Sequence, residues 1–256
     1  MDFTGKSILI TGGTTGIGRA IAARFASLGA DVTVNYFVPG ADVDEALKCI
    51  EKAGGIGHAV PGDVSNPDDA EAMAASASAK FGRLDILVNC AGFTKWVAFD
   101  DLDGLTPELW RKTMTVNAEG AFYCARAAAR EMRKTGGGAI TSIASVAGRR
   151  ANGSSIAYCA SKAALIHASH CLAKALAPHI RVNTVSPGFV GNTNWNGPRD
   201  GYDHASAYEK AASESLVGRI GTPDDIVSAV VYLSSGEASY ITGIDFLVDG
   251  GRFYNV

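Results

Sequence analysis

Thr11-Gly12-Gly13-Thr14-Thr15-Gly16-Ile17-Gly18 joins a short apolar run at residues 7–10 to a segment in which Ile17, Ile21 and Phe25 recur at helical spacing. The apolar run predicts a buried strand, and the periodic segment predicts a helix. Glycines at this junction allow a tight turn and a close backbone approach to a pyrophosphate, whose negative charge is stabilised by the amino end of the helix. The stretch therefore predicts a dinucleotide-binding turn, although glycines that only separate a strand from a helix would leave the same pattern.

The alternation of short apolar runs with longer helical patterns continues along the chain. Predicted strands lie at 7–10, 32–34, 58–60, 86–88, 139–143, 182–185 and 244–248. Predicted helices lie at 17–28, 46–50, 68–81, 107–133 (with a bend or break), 157–177 and 223–233, and the polar segment 189–215 is expected to be irregular. Strands that alternate with helices predict an α/β fold with a parallel sheet. We expect a single domain over residues 1–256, with a doubly wound Rossmann-type sheet of about seven strands and helices on both faces.

Composition and charge restrict the class of protein. Of the 256 residues, 47% are hydrophobic and 19% are charged, which is enough apolar material for a folded core. The net charge of −3 provides no general attraction to nucleic acid or to an anionic membrane. No apolar run is long enough to span a bilayer, and the acidic start lacks a signal-peptide pattern. We therefore expect a cytoplasmic protein without nucleic-acid or membrane partners.

The chain has five scattered cysteines and no C-x-x-C pair: Cys49, Cys90, Cys124, Cys159 and Cys171. We interpret them as small buried hydrophobic side chains in a reducing compartment rather than as disulfide partners or zinc ligands. His167 and His170 have a spacing that can ligate a metal, but no third ligand accompanies them. No metal site is predicted.

Tyr158-Cys159-Ala160-Ser161-Lys162 places a tyrosine and a lysine four residues apart, on one face of a predicted helix. A tyrosine ordinarily titrates at about pH 10. A neighbouring ammonium favours the phenolate and would lower that pKa toward neutrality, which makes the tyrosine useful as a general acid or base. The pair alone is also compatible with a surface contact that stabilises the helix.

Other polar and glycine-containing segments follow the predicted strands. Asn89-Cys90-Ala91-Gly92 follows the fourth strand, Ser145 follows the fifth, and Ser186-Pro187-Gly188 follows the sixth. Asn117, by contrast, lies within the long helix. The carboxyl ends of parallel strands meet at one edge of a sheet, where open α/β folds bind ligands. We therefore expect these segments to converge on the tyrosine–lysine pair.

In this combination and order, the motifs resemble those of the short-chain dehydrogenase/reductase family, over essentially the whole chain. The matching motifs are TGxxxGIG at 11–18, Asp63-Val64, N-x-A-G at 89–92, Asn117, Ser145, YxxxK at 158–162 and Pro187-Gly188. The resemblance, which extends to 3-oxoacyl-[acyl-carrier-protein] reductases and sugar dehydrogenases, implies an NAD(P)-dependent oxidoreductase. Cys90 departs from the pattern, because the family usually has asparagine there.

The resemblance implies roles for four catalytic residues. Tyr158 would exchange a proton with the substrate oxygen as a hydride crosses at nicotinamide C4. Lys162 would lower the pKa of Tyr158 and hold the ribose hydroxyls beside the nicotinamide. Ser145 would orient the substrate oxygen through a hydrogen bond, and Asn117 would hold a water that links Lys162 to solvent.

The resemblance also implies a set of cofactor-binding residues. Asp63 and Val64 would contact the adenine, and Val190 and Thr193 would lie near the nicotinamide amide. The threonine that the family usually has in this last region is replaced by Asn192, with Thr193 one residue later. The full expected set is Gly12, Thr14, Gly16, Ile17, Gly18, Tyr36, Asp63, Val64, Asn89, Ala91, Gly92, Tyr158, Lys162, Pro187, Gly188, Val190 and Thr193.

The end of the second strand bears on which dinucleotide is used. Tyr36 stands where NAD-dependent relatives place an acid that holds the ribose 2′-hydroxyl, so no carboxylate there repels a 2′-phosphate. Against this, neither Thr15 nor Phe37 supplies the basic residue that NADP users usually have. We favour NADP over NAD and leave dual use open.

The segment 189–215 is expected to form a substrate lid. It is rich in amide and hydrogen-bonding aromatic groups, among them Trp195, and Trp96 is a candidate second wall. A pocket for a long acyl chain or a steroid should be mainly apolar, so a small polar secondary alcohol or ketone is favoured: a sugar, a polyol or a hydroxy acid. The alternatives are a 3-oxoacyl-[acyl-carrier-protein] reductase and, less favoured, a non-catalytic dinucleotide-binding regulator.

A stripe of small residues on the predicted catalytic helix permits close contact with another helix: Ala157, Ala160, Ala164 and Ala168. The same stripe could serve only to fit this helix against the sheet. Because family members often pair through this region, the resemblance implies a homotetramer or a dimer.

Overall fold

A parallel sheet forms the centre of the molecule. The computed structural model describes residues 1–191, 193 and 204–253. Its strands are β1 (Ser7–Thr11), β2 (Asp31–Tyr36), β3 (Gly57–Pro61), β4 (Ile86–Asn89), β5 (Gly138–Ile143), β6 (Ile180–Pro187) and β7 (Asp245–Val248). They pair in the order β3-β2-β1-β4-β5-β6-β7, and each pairing is parallel. The predicted doubly wound α/β fold is confirmed, as are the seven predicted strands.

Helices connect the strands. They are α1 (Gly16–Ser27), α2 (Ala41–Lys52), α3 (Pro67–Phe81), α4 (Pro107–Met114), α5 (Gly120–Lys134), α6 (Ile156–Leu176), α7 (His204–Glu214) and α8 (Pro223–Ser234). The bend or break expected within 107–133 is a π-helical turn, Thr115–Glu119, between α4 and α5. In the described part of the chain, no helix combines the length and apolarity needed to cross a membrane.

The prediction that 189–215 is irregular is wrong for its last part, which forms α7. Alanine, glutamate and lysine favour a helix there, and Ala211 is buried at 3% exposure. The many polar side chains of this segment hide the short apolar face from a periodicity argument. Residues 192 and 194–203, including Trp195 of the expected lid, lie outside the described residues.

Alternation of side chains along the strands divides the core into two layers. Ile8 and Ile10 pack with α1, α2 and α8 on one face of the sheet, whereas Leu9 packs with α3 and α5 on the other. Phe25 of α1 and Met132 of α5 are fully buried in these two layers. Burial of each apolar side chain of this size contributes about 1.5–3 kcal/mol. Because both faces are covered, the inner strands are rigidly held.

The strand order reverses between β1 and β4. The chain adds β2 and β3 on one side of β1 and then returns to add β4 and the later strands on the other side. The loops that follow β1 and β4 therefore leave in opposite directions, which opens a crevice at the carboxyl edge of the sheet. This crevice contains the site described below.

The cysteines do not fit the prediction of five buried hydrophobic side chains. All five are free, but only Cys124 is buried, Cys171 is exposed, and Cys49, Cys90 and Cys159 are partly exposed. Cys171 lies on the solvent side of α6, and Cys90 lies at the crevice rather than inside a layer of the core.

Asp85 ties the amino ends of the central strands together. Its carboxylate accepts hydrogen bonds from the Ser7 N–H (3.0 Å), from Lys6 Nζ (3.1 Å) and from Arg83 Nε (2.7 Å). Burial alone raises the pKa of this carboxyl group, but the hydrogen bonds outweigh burial and hold the pKa below its usual value. The ionised group therefore stabilises the fold.

Asp85→Asn is expected to reduce the free energy of unfolding by about 1–3 kcal/mol near pH 7, because charge-assisted hydrogen bonds are lost in a buried position. The pKa is lower in the folded state, so this stabilisation is present above the pKa of an unfolded aspartate, about 4, and is lost as the pH falls through the folded value. Urea unfolding of the wild type and the variant should show a difference that narrows at acid pH. The exposed Asp44→Asn serves as the control, and an equal difference at both pH values would contradict the assignment.

Candidate active site

A cavity of about 1030 Å³ occupies the crevice. The turn after β1, the end of β2 and the loops after β3, β4, β5 and β6 all contribute to its wall. Its lining includes Asp63, Val64 and the glycine turn, which are expected to bind the cofactor, as well as Ser145, Tyr158 and Trp96. Ligand cavities commonly have about 300–1000 Å³, so this one is large enough for an extended dinucleotide and a small substrate.

The turn after β1 approaches its neighbours closely because its glycines lack side chains. Gly12 has a φ of 62°, and a Cβ there would lie 2.9 Å from the Cα of Ala91. A Cβ on Gly18 would overlap the carbonyl oxygen of Gly12. Thr15, the N-cap of α1, makes no side-chain capping bond, and the first turn of α1 contains no acidic residue. The positive end of the helix is therefore available to an anion, and the turn fits a pyrophosphate.

Asn35 of β2 organises this turn, and no motif in the sequence points to it. Its side-chain oxygen accepts from the Gly12 N–H (3.3 Å), and its main-chain oxygen accepts from the Gly13 N–H (3.2 Å). Its Nδ2 donates to the carbonyl oxygens of Tyr36 (3.2 Å) and Gly62 (3.0 Å). A buried amide needs such partners, so a lone asparagine within a buried strand is the signal that could have identified it.

Thr11 joins the glycine turn to the loop after β4. Its Oγ1 accepts hydrogen bonds from the backbone N–H groups of Cys90 and Ala91, both at 3.1 Å. The backbone of this loop is thus fixed by Thr11, whichever side chain stands at position 90. Burial raises the pKa of the Cys90 thiol to about 11, although the charge of Lys162 opposes this rise. Cys90 is therefore a neutral thiol in the cavity wall.

Tyr158 and Lys162 are brought together at the start of α6. Ser155 caps this helix by accepting a hydrogen bond from the Tyr158 N–H (3.2 Å). Lys162, one turn later, donates from Nζ to the Ile143 carbonyl oxygen (2.8 Å) and lies 5.8 Å from the centre of the Tyr158 ring. The two residues are 8% and 4% exposed, so the pair is almost fully enclosed. This burial excludes the alternative that the tyrosine and the lysine form only a surface contact that stabilises the helix.

Burial shifts both groups toward their neutral forms. It raises the pKa of Tyr158 to about 12, although a hydrogen bond with Ser145 opposes the rise. It also lowers the pKa of Lys162 to about 8. Burial thus dominates the pKa of Tyr158, and the opposing contribution comes from Ser145. The lowering of this pKa by Lys162 stays a prediction. Near neutral pH, Tyr158 is a proton donor.

Ser145 lies two residues after the end of β5, in the loop that leads to α6. Its Oγ accepts from the Ala147 N–H (3.1 Å), which caps a short 3₁₀ turn, Val146–Gly148. Ser145 and Tyr158 both line the cavity and share a hydrogen bond. Two hydroxyl groups are therefore directed to one point, where a substrate oxygen could bind.

Asn117 lies in the π-helical turn and does not line the cavity. Its Oδ1 accepts from the Phe93 N–H (2.7 Å), and its Nδ2 donates to the Phe93 carbonyl oxygen (2.9 Å) and to Ser161 Oγ (2.9 Å). Both amide hydrogens are thus used to hold the loop after β4 against α6. The water-holding role expected of Asn117 stays a prediction, whereas its contacts make it a positioning residue.

Most residues predicted to bind the cofactor line the cavity: Gly12, Gly16, Ile17, Gly18, Asp63, Val64, Ala91, Gly92, Tyr158, Lys162, Pro187, Gly188, Val190 and Thr193. Thr14, Tyr36 and Asn89 do not. Asn89 points behind the wall, where its Nδ2 donates to the Ala121 carbonyl oxygen and Ser142 Oγ. At the end of β2, Asn35 and Phe37 line the cavity in place of Tyr36.

Known proteins resemble this chain along nearly its whole length. A family model described as enoyl-(acyl carrier protein) reductase matches residues 12–252. The chain belongs to the short-chain dehydrogenase/reductase family. An L-rhamnose 1-dehydrogenase (NAD(P)(+)) from a Sphingomonas species is 35% identical over 254 residues, which cover 98% of each chain. A D-threitol dehydrogenase from Mycolicibacterium smegmatis is 36% identical over 253 residues, which cover 96% of this chain and 92% of the relative.

A solved structure supports the same assignment. A short-chain type dehydrogenase/reductase from Mycobacterium marinum superposes with a TM-score of 0.90 at 35% identity, covering 98% of this chain and 97% of the other. This short-chain dehydrogenase/reductase is therefore an oxidoreductase with a nicotinamide dinucleotide cofactor. The predicted family, fold and enzyme class are confirmed.

Gly18→Ala is expected to raise the dissociation constant of the reduced cofactor at least about tenfold, equivalent to 1.4 kcal/mol. The added methyl group would collide with the Gly12 carbonyl oxygen and displace the phosphate turn. Titration followed by nicotinamide fluorescence measures this constant. The control is Gly236→Ala, where a Cβ meets no atom within 4 Å. Equal affinities in the two variants would rule out a cofactor site at this turn.

Proposed function

We propose that this enzyme transfers a hydride between a nicotinamide and a small polar secondary alcohol or ketone, such as a sugar, a polyol or a hydroxy acid. The observation that carries the proposal is the enclosed Tyr158–Lys162 pair, with the Ser145 hydroxyl hydrogen-bonded to Tyr158 at the cavity wall. When bound, the nicotinamide supplies or accepts the hydride. The chain's own residues supply the proton and orient the substrate.

Tyr158 gives a proton to the substrate oxygen during ketone reduction and takes one back during alcohol oxidation. Its raised pKa keeps the proton available near neutral pH. Ser145 donates a hydrogen bond to the same oxygen and fixes its position. Lys162 titrates at about pH 8, so it readily gains and loses a proton beside Tyr158. Asn117 keeps α6 and the loop after β4 in register.

The wall near Tyr158 is polar and aromatic. Asn152 and Ser154 contribute hydrogen-bonding groups, whereas Phe93, Trp96 and Phe189 contribute ring faces. Such a wall suits a compact hydroxylated molecule better than a long acyl chain, which would need a mainly aliphatic channel. The relatives named for L-rhamnose and D-threitol act on molecules of this kind. These arguments favour the polar substrate over a 3-oxoacyl-[acyl-carrier-protein].

We also propose that NADP is preferred to NAD. In the described wall, the end of β2 contributes Asn35 and Phe37, which are neutral, so no carboxylate there repels a 2′-phosphate.

The exposed aromatic side chains of Trp110 (39%) and Phe122 (41%) suit an assembly of identical subunits, a tetramer or a dimer. We further propose that the enzyme is located in the cytoplasm.

Tyr158→Phe is expected to lower kcat about 100- to 10,000-fold, because the proton-transfer group alone is removed. Cofactor affinity should stay within about threefold of the wild type. Lys162→Ala should lower kcat and also weaken cofactor binding, because the lysine is assigned both tasks. Steady-state rates with L-rhamnose, D-threitol and an acyl thioester, together with cofactor titrations, measure these effects.

Two results would contradict the proposal. Near wild-type turnover by Tyr158→Phe would remove the tyrosine from the mechanism. Efficient turnover of the acyl thioester alone would reject the polar substrate.

Phe37→Asp is expected to shift the ratio of kcat/KM values toward NAD at least about tenfold, because a carboxylate at the cavity wall repels the 2′-phosphate. Phe37→Asn is the matched neutral control and should keep the wild-type ratio. Both ratios are measured with the same alcohol at saturating concentration. A wild-type kcat/KM at least about tenfold higher with NAD than with NADP would overturn the preference.

A further inference from the structure

Residues 249–253, here called the C-terminal turn, form part of the cavity wall. The Asp249 carboxylate accepts from the N–H groups of Gly251 (2.9 Å) and Phe253 (2.8 Å). Gly250 and Gly251 have φ values of 65° and 75°, which favour glycine. The chain therefore folds back on itself and brings Arg252 and Phe253 to the cavity.

Arg252 is neutralised where it meets the cavity. Its Nε donates to Glu214 Oε2 (2.7 Å), and its terminal nitrogen donates to the same oxygen. The Arg252 side chain is 14% exposed and that of Glu214 is 41% exposed. Glu214 is the last residue of α7. The wall thus presents an ion pair between the C-terminal turn and α7 rather than a free cation.

Phe253 connects this ion pair to the loop between Ser145 and α6. The guanidinium carbons of Arg252 and Arg150 lie 5.2 Å and 5.5 Å from the centre of its ring, within the range of a cation–π contact. Arg150 lies in the loop between Ser145 and α6. The C-terminal turn therefore belongs to the end of the cavity where the substrate oxygen would bind.

Besides Lys162, which is assigned to catalysis, two other cations line the cavity among the described residues, and both are more exposed than Arg252. Arg111 is 73% exposed, and Lys112 is exposed with its Nζ 4.5 Å from the centre of the Phe93 ring. Water and salt screen exposed charges strongly. Of the two guanidinium groups in the described lining, that of Arg252 has the more restricted access to water, so its charge state has the larger effect on a bound ligand.

We propose that the Arg252–Glu214 pair makes this enzyme select neutral polyhydroxylated substrates over substrates that carry a carboxylate. Glu214 occupies the guanidinium that would otherwise bind an anionic group of the substrate. The inference rests on the proposed function and narrows it, from sugars, polyols and hydroxy acids to neutral sugars and polyols.

The test compares a neutral ligand with its acid: D-threitol with D-threonate. Binding of each to the enzyme saturated with reduced cofactor, a complex that cannot oxidise an alcohol, is measured by calorimetry at low and high salt. Glu214→Gln removes the negative charge that neutralises the guanidinium while keeping the side-chain shape. It should raise the affinity for D-threonate relative to D-threitol at least about tenfold, and salt should reduce this gain. Adding Arg252→Gln to Glu214→Gln should abolish the gain, because the cation is then absent.

A matched control is Glu71→Gln, which removes the carboxylate of an ion pair with Arg130 (2.6 Å), and neither residue lines the cavity. It should leave the ratio of affinities unchanged. No gain for D-threonate in Glu214→Gln, or an equal gain in the double variant, overturns the selection by this pair. Failure of the wild type to oxidise any polar alcohol would instead reject the proposed function, whereas the ratio of affinities is read without turnover.

Discussion

The close approach of two backbones at the reversal of strand order is the constraint on which the site depends. Gly12 lies against Ala91 so tightly that a side chain could not be added, and Thr11 Oγ1 holds the N–H groups of the same loop. The turn that fits a pyrophosphate and the loop that carries Phe93 are therefore one rigid unit. Asn117 extends this unit to α6, and so the glycine turn and the catalytic helix keep a fixed distance.

The same packing determines the electrostatics. Enclosing Tyr158 and Lys162 removes water from both side chains and favours their neutral forms. Burial therefore raises the pKa of Tyr158 to about 12 and lowers the pKa of Lys162 to about 8. One pKa unit corresponds to about 1.4 kcal/mol, so the burial that builds the cavity opposes charge on the phenol. The arrangement favours a hydroxyl that keeps its proton until a substrate oxygen is placed beside it and beside Ser145.

Local patterns were sufficient to predict the sheet and part of the site, because strand and helix periods and the first glycine turn are encoded within a few residues. The glycine turn, Ser145 and the tyrosine–lysine pair all line the cavity. Asn35 was not predicted because its role depends on hydrogen bonds to residues that are distant in sequence, in the turn after β1 and in the loop after β3. The raised pKa of Tyr158 was not predicted, because spacing reveals a neighbouring charge and does not reveal burial. Helix α7 was missed because its polar side chains hide a short apolar face, and Arg252 was missed because its contacts join distant segments.

The two halves of the cavity share a point of contact at the end of β6. A Cβ on Gly188 would lie 2.8 Å from the Cα of Asp249, the residue that folds the C-terminal turn. Gly188 thus lines the expected cofactor half and also gives the C-terminal turn room to reach the substrate half. A substitution there would move both walls together, whereas Arg252 and Glu214 can change without touching the glycine turn. Selectivity for the substrate can therefore vary on this fold while the dinucleotide site stays fixed.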